Sequence, residues 1–174
     1  DESVKIYEEL TNTVSKPYLL IITSPNLIRA VILRKELKHV MPNIKGPYEP
    51  APGYGDYTEY TALVVKRYKR GSLKAGDTLL ISVSSQNWKS PYPEFNEGDE
   101  YLLSLTYPSY GKYLLTNQNN KKERASFLIK DNILYDRNGF WGMGTKAPWD
   151  KFEAAFMKDI NRLRSDPPPE FLYD

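Results

Sequence analysis

The chain contains no cysteine and a single histidine among its 174 residues. The lack of cysteine excludes disulfides, thiolate metal sites and cysteine nucleophiles. A histidine-based triad would have to use His39, which has no nucleophile motif near it in the sequence. We therefore expect His39 to be an ordinary surface histidine. We also expect no cofactor, no metal and no enzymatic activity.

The sequence also lacks a charge imbalance and a long apolar run. It carries 24 basic and 22 acidic residues, for a formal net charge of +2. This balance disfavours nucleic acid as a partner, and it gives no general attraction to anionic membranes. The longest apolar run, residues 18–23, is too short to span a bilayer. The chain starts at Asp1 rather than at Met, which indicates a trimmed or a recombinant start. We expect a removed leader and an extracellular or envelope location.

A phrase that occurs twice dominates what is present. Residues 74–83 read Lys-Ala-Gly-Asp-Thr-Leu-Leu-Ile-Ser-Val, and residues 96–105 read Asn-Glu-Gly-Asp-Glu-Tyr-Leu-Leu-Ser-Leu. Glycine accepts the backbone angles of a tight turn, and aspartate can hydrogen-bond the backbone that follows it. The phrase therefore predicts two buried strands that each begin from a Gly-Asp turn.

The N-terminal region is predicted to hold a helix followed by strands. Apolar residues at helical spacing predict a helix over residues 3–15, which Pro17 would end. The β-branched run at 18–23 predicts a strand, bent at a Pro25 bulge and resumed over 27–38. A short helix at 27–38 is the alternative.

The rest of the chain predicts short strands and one clear helix. Strands are expected at 60–69 and 113–116, a hairpin at 126–136 turning on Asp131 and Asn132, and a helix at 148–165. We expect one mainly β domain over residues 1–174, a small barrel. Its barrel and leading helix would span 4–136, and a C-terminal helix 145–166.

The stretch from Tyr60 to Asp136 carries a family resemblance. Its motifs are the strand Thr-Ala-Leu-Val-Val-Lys-Arg-Tyr-Lys-Arg-Gly, the two Gly-Asp entries and a Gly-Lys-Tyr strand. They resemble bacterial extracytoplasmic domains with an OB-type barrel similar to the netrin module and the tissue inhibitors of metalloproteinases. The resemblance covers most of residues 4–136 and implies an OB-type barrel fold. Those inhibitors act through an N-terminal cysteine that chelates zinc, so that mechanism does not carry over.

Aromatic residues make up 13% of the chain, including 14 tyrosines, and many fall in predicted loops. If the loops rim one end of the barrel, they form a surface for a protein or polysaccharide ligand. The alternative is that these rings pack the loops onto the barrel. The candidate binding residues are Tyr54, Tyr57, Trp88, Tyr92, Tyr110 and Trp141.

Two other functions have some basis in the sequence. The stretch of basic residues from Lys66 to Lys74 flanks Tyr68, as in OB barrels that bind single-stranded nucleic acid. A solvated strand face is the simpler interpretation of this stretch. A carboxylate pair could support glycosidase-like catalysis, but no spacing singles one out. The candidate carboxylates are Asp56, Glu59, Glu94, Glu97, Asp99 and Glu100.

Overall fold

The computed structural model describes residues 15–39, 56–69, 71–84, 93–116 and 125–167, together with Glu2, Val4, Lys5, Glu8 and Glu9. This part of the chain is mainly β, as predicted, with helical structure near each end. The five isolated N-terminal residues are helical, in agreement with the helix predicted at 3–15. Two complete helices follow, α1 (Lys16–Thr23) and α2 (Trp149–Ser165).

Eight strands lie between the two helices. They are β1 (Asn26–Lys38), β2 (Tyr57–Arg67), β3 (Thr78–Ser84), β4 (Glu100–Leu105), β5 (Lys112–Tyr113), β6 (Ser126–Lys130), β7 (Ile133–Tyr135) and β8 (Lys146–Pro148). They form one sheet in the order β5-β3-β2-β1-β4-β6-β7-β8. The central strand β1 pairs antiparallel with both β2 and β4.

The strand β5 pairs in parallel with β3, and the residues that follow β5 contact β4. Thr106 N–H donates to the Leu114 carbonyl at 2.8 Å, and Thr116 N–H donates to the Ser104 carbonyl at 3.0 Å. Leu105 and Leu115 form an isolated antiparallel bridge between the same segments. The segment 112–116 therefore joins β3 on one side to β4 on the other.

The sheet has a hydrophobic core on each face. The first is formed by inward residues of β1 to β5 and includes Ile28, Tyr60 and Ile81. The second lies between the sheet and the two helices and includes Tyr68 and Phe156. The helix α2 presents a stripe to this second core at the spacing that the sequence predicts. Its buried members are Trp149, Phe152, Phe156, Ile160 and Leu163.

The predicted strand at residues 18–23 is wrong, because this run lies in the helix α1. The Ser15 hydroxyl caps the helix by accepting from Tyr18 N–H, and Pro17 lies in the first turn, where its missing N–H costs nothing. Pro17 therefore helps to begin α1. The apolar run is buried from Tyr18 to Ile22, and a short run of this kind has no amphipathic period to reveal its type.

The strand predicted at residues 27–38 is confirmed as β1, and its helical alternative is wrong. Pro25 lies in the bend before β1 and makes no bulge. The pairing with β2 instead shifts register twice further along, between Arg29 and Ala30 and between Ile32 and Arg34. These two bulges leave one extra residue on each strand, Val65 on β2 and Leu33 on β1.

The turn predictions are largely confirmed. Gly76 and Gly98 have φ values of 91° and 83°, as the two Gly-Asp entries require. Asp77, however, accepts from the preceding Lys74 N–H at 3.0 Å, whereas the sequence pointed to the backbone after it. Asp131 and Asn132, at φ 52° and 60°, turn the predicted hairpin between β6 and β7.

Candidate ligand-binding surface

Tyr110 lies at the tip of a tight turn between β4 and β5. Ser109 and Lys112 exchange two backbone hydrogen bonds, of 2.9 and 3.0 Å, across this turn. Tyr110 and Gly111 both have positive φ, at 51° and 76°. Glycine and asparagine adopt this left-handed conformation readily, whereas a bulky residue does so at a cost. The Tyr110 side chain is nevertheless fully exposed.

Lys112 follows this turn and reaches across β3 to the outer face of β2, by which we mean the face that points away from the first core. Its Nζ donates to Tyr57 Oη at 2.7 Å and lies 3.1 Å from Glu59 Oε2. The same nitrogen is 4.7 Å from the centre of the Tyr57 ring. The hydrogen bonds to Tyr57 and Glu59 raise the pKa of Lys112. This side chain is therefore a fixed cation that positions the Tyr57 ring.

Tyr57, Glu59, Tyr107, Tyr110 and Lys112 together form what we call the aromatic-lysine surface. The parallel pairing of β3 with β5 brings Lys112 to Tyr57 and Glu59, and Tyr107 and Tyr110 lie in the segment just before β5. Tyr107 precedes the turn and is 51% exposed. Beside Glu59 in the register, the Ser82 hydroxyl is buried without a hydrogen-bond partner among the described residues. The surface thus combines exposed rings, a held cation and a nearby polar group.

The structure brings together two of the six residues that the sequence nominated. Both belong to the aromatic-lysine surface: Lys112 donates to Tyr57, and Tyr110 is two residues before Lys112 in the turn. Tyr54, Trp88 and Tyr92 lie outside the described residues. Sequence reasoning missed Lys112. It directly follows a Gly-containing turn and precedes the inward Tyr113, so the alternation of side chains along a strand predicts that Lys112 points outward.

Trp141 lies against the helix α2, apart from this surface. Its ring centre is 5.1 Å from that of Phe152 and 5.5 Å from that of Phe156. The buried Asp136 carboxylate accepts from Phe140 N–H and Trp141 N–H at 2.9 and 2.8 Å, which fixes the loop beneath the ring. These contacts match the alternative in which aromatic rings pack loops onto the fold.

The basic stretch from Lys66 to Lys74 is a solvated strand face only in part. Tyr68 is buried under α2, where its hydroxyl donates to Glu153 Oε2 at 2.6 Å. Lys69 is 7% exposed and donates to the carbonyls of Ile21, Ile22 and Ser24 at the end of α1. A ring held in this way presents no face for stacking with a base.

The carboxylates nominated for catalysis all take part in ion pairs or hydrogen bonds. Glu100 binds Arg29 through both carboxylate oxygens, and Asp56 Oδ1 lies 2.9 Å from Nδ1 of the exposed His39. Glu59 pairs with Lys112, Asp99 with Lys130, and Glu94 with Lys35, while Glu97 accepts from Lys35 N–H. Within the described ranges, no three histidine or acidic residues cluster to hold a metal ion.

A scan against models of protein families and a search of curated proteins find no match to this chain. Among the helices that the structure describes, none has the length and apolar character needed to cross a membrane.

Proposed function

We propose that this chain is a non-enzymatic binding module, secreted or envelope-associated, that binds a protein or polysaccharide through the aromatic-lysine surface. The observation that carries the proposal is the Tyr110 side chain. A large ring stands fully exposed at a left-handed position where asparagine or glycine would be more stable. Backbone strain of this kind is concentrated at functional sites, and exposed tyrosines contribute contact area at low entropic cost.

We further infer that the strands form an OB-type barrel similar to that of the netrin module. The inference is supported by the central position of β1, the parallel β3–β5 pair and the hydrogen bonds from 114–116 to β4. In OB barrels the outer face of the second and third strands and the adjoining loops carry ligands. Tyr57 and Glu59 on β2, and Lys112 beside β3, would be the ligand contacts of that face.

Replacing Tyr110 tests the proposed function. The full chain would be applied to a glycan array and to an array of immobilised extracellular proteins, together with the Tyr110→Asn and Tyr110→Phe variants. Tyr110→Asn retains the turn and removes the ring, whereas Tyr110→Phe retains the ring. We expect Tyr110→Asn to weaken binding by about tenfold or more, as for an aromatic anchor, and Tyr110→Phe to remain within about threefold of the original.

Three results would count against the proposal. They are an absence of ligands on both arrays, binding that Tyr110→Asn leaves unchanged, and tighter binding to a single-stranded oligonucleotide at low salt. The last of these would favour the OB-type nucleic-acid binder instead. Turnover of a bound glycan would favour an enzyme with a carboxylate pair.

A further inference from the structure

Four aliphatic residues form a strip on the outer face of β1 and β2. The strip consists of Val31, Leu33, Leu63 and Val65. Val31 pairs directly with Leu63, while their neighbours Ile32, Ala62 and Val64 point into the first core. Leu33 is 48% exposed and Val65 is 42% exposed.

The two bulges account for the exposure of this strip. Leu33 and Val65 are the extra residues at the two register shifts between β1 and β2. A bulge leaves its extra residue outside the regular pairing and increases the local twist, so both side chains project from the sheet. Single exposed leucines are common on protein surfaces, but adjoining aliphatic residues at two neighbouring bulges form a patch of the kind that marks interaction sites.

The strip is continuous with the aromatic-lysine surface. Thr61, between Glu59 and Leu63 on β2, pairs with Leu80 on β3, and Leu80 pairs with Lys112 on β5. Leu80 is half-buried on this outer face. A ligand that contacts Tyr57 and Lys112 can therefore extend along β2 to Leu63 and Val65 without leaving the sheet.

The charges around the strip favour an acidic partner. Arg34 and Lys38 share a single carboxylate, that of Glu36, at 3.1 and 3.2 Å. Lys66 pairs with Glu153 of α2 at 3.4 Å. Cations on these two strands thus outnumber the carboxylates that neutralise them.

We propose that the strip extends the binding surface and that the ligand is an extended polypeptide segment with aliphatic side chains and carboxylates. This inference rests on the proposed function and selects the polypeptide from its two ligand classes. Leu33 and Val65 can bury aliphatic side chains, which a polysaccharide does not supply. Carboxylates on the segment would meet the cations at the rim, which gives register and specificity.

A displayed library of random twelve-residue peptides, selected on the full chain, tests this inference. We expect the selected peptides to be rich in aliphatic residues and in Asp or Glu, and to bind more weakly as salt rises. The double variant Leu33→Ser, Val65→Ser should bind the selected peptides about tenfold or more weakly, because it removes two apolar contacts. Amide chemical shifts of the full chain should change at Leu33, Leu63 and Val65 when a selected peptide is added.

The matched control is Leu37→Ser. Leu37 is an exposed leucine of the same strand, but it pairs with Thr58 and lies on the opposite face from Lys38. This variant should bind the selected peptides like the original chain. A library that yields no enriched peptide, that yields basic peptides, or whose peptides bind the double variant equally well would overturn the inference. If Tyr110→Asn loses glycan binding while any of these results is obtained, the proposed function is supported and only the inference of a polypeptide ligand is overturned.

Discussion

The Tyr110 backbone stores strain that can be measured separately from binding. Asparagine tolerates left-handed angles better than tyrosine, so we expect Tyr110→Asn to raise the free energy of unfolding by about 0.5–1 kcal/mol. Urea denaturation followed by circular dichroism would measure the change. Tyr107→Asn is the control, because Tyr107 is also exposed but has no positive φ. Equal effects of the two substitutions would show that Tyr110 is not strained.

If stability rises in Tyr110→Asn while binding falls, one residue contributes in opposite directions to folding and to recognition. That pattern is typical of functional positions. A simple structural turn has no reason to retain a large exposed ring at this cost.

At the scale of elements, the docking of α2 depends on polar contacts as well as on its apolar stripe. The Tyr68 hydroxyl donates to Glu153, and Lys66 approaches the same carboxylate at 3.4 Å. Arg29 lies over the Trp149 ring, 4.9 Å from its centre. Burial and the hydrogen bond to Glu153 raise the pKa of Tyr68, so its hydroxyl retains the donated proton.

We expect Tyr68→Phe to lower the free energy of unfolding by about 1–2 kcal/mol, because the ring stays packed and only a charge-assisted hydrogen bond is lost. The double-mutant cycle with Glu153→Ala isolates this contact, and urea unfolding of all four proteins would measure the coupling energy. A coupling energy near zero would mean that the Tyr68–Glu153 hydrogen bond does not help to hold α2.

The element most clearly mispredicted from the sequence is α1. Its apolar run is too short to show a helical period, and its β-branched residues favour a strand. Three backbone carbonyl oxygens at the end of this helix accept hydrogen bonds from Lys69, which lies almost fifty positions later in the chain. Local propensity could not reveal that contact. The helix α2 was predictable because its stripe, its Pro148 entry and its exposed polar face all lie within one segment.

The candidate site was predictable in its residue types and less so in its membership. An excess of tyrosine near turns indicated Tyr57 and Tyr110. Their common location depends on a parallel pair between β3 and β5, and no short-range pattern encodes such a pair. Trp141 has the same composition signal, yet its neighbours in space are phenylalanines of the second core. Packing against the second core distinguishes Trp141 from Tyr57 and Tyr110, and such packing is a property of the folded chain that the sequence pattern does not show.

At the scale of the whole molecule, the two cores share the strands β1 and β4. Ile28 and Leu103 point into the first core, while Leu27 and Leu102 point into the second. Because alternate residues of the same strands fill both cores, neither core can form without the central pair. Lys69 and nearby hydroxyl groups connect α1 to these central strands. Ser24 Oγ is 2.5 Å from Ser104 Oγ of β4, and Ser104 Oγ is 2.6 Å from Thr116 Oγ1.

The buried Lys69 gives the whole molecule an unusual dependence of stability on pH. Burial lowers the pKa of Lys69 from 10.5 to about 7, although its three carbonyl acceptors favour the charged form. Between these two values the unfolded chain binds a proton that the folded chain does not. The free energy of unfolding should therefore rise from pH 7 to pH 9, by at most about 1.4 kcal/mol per pH unit.

Buried tyrosines reverse this trend at higher pH. Burial raises the pKa values of Tyr18, Tyr68 and Tyr101 above 10.0, so the unfolded chain loses these protons first. Stability should fall above about pH 10, which places the maximum well above neutrality. Urea unfolding across pH 6–11 would measure the profile. In Lys69→Met, which leaves the three carbonyls without their donor, the rise between pH 7 and 9 should disappear while the alkaline fall remains. A profile of the unaltered chain that is flat or falling from pH 7 to 9 would show that the carbonyl oxygens keep Lys69 charged throughout.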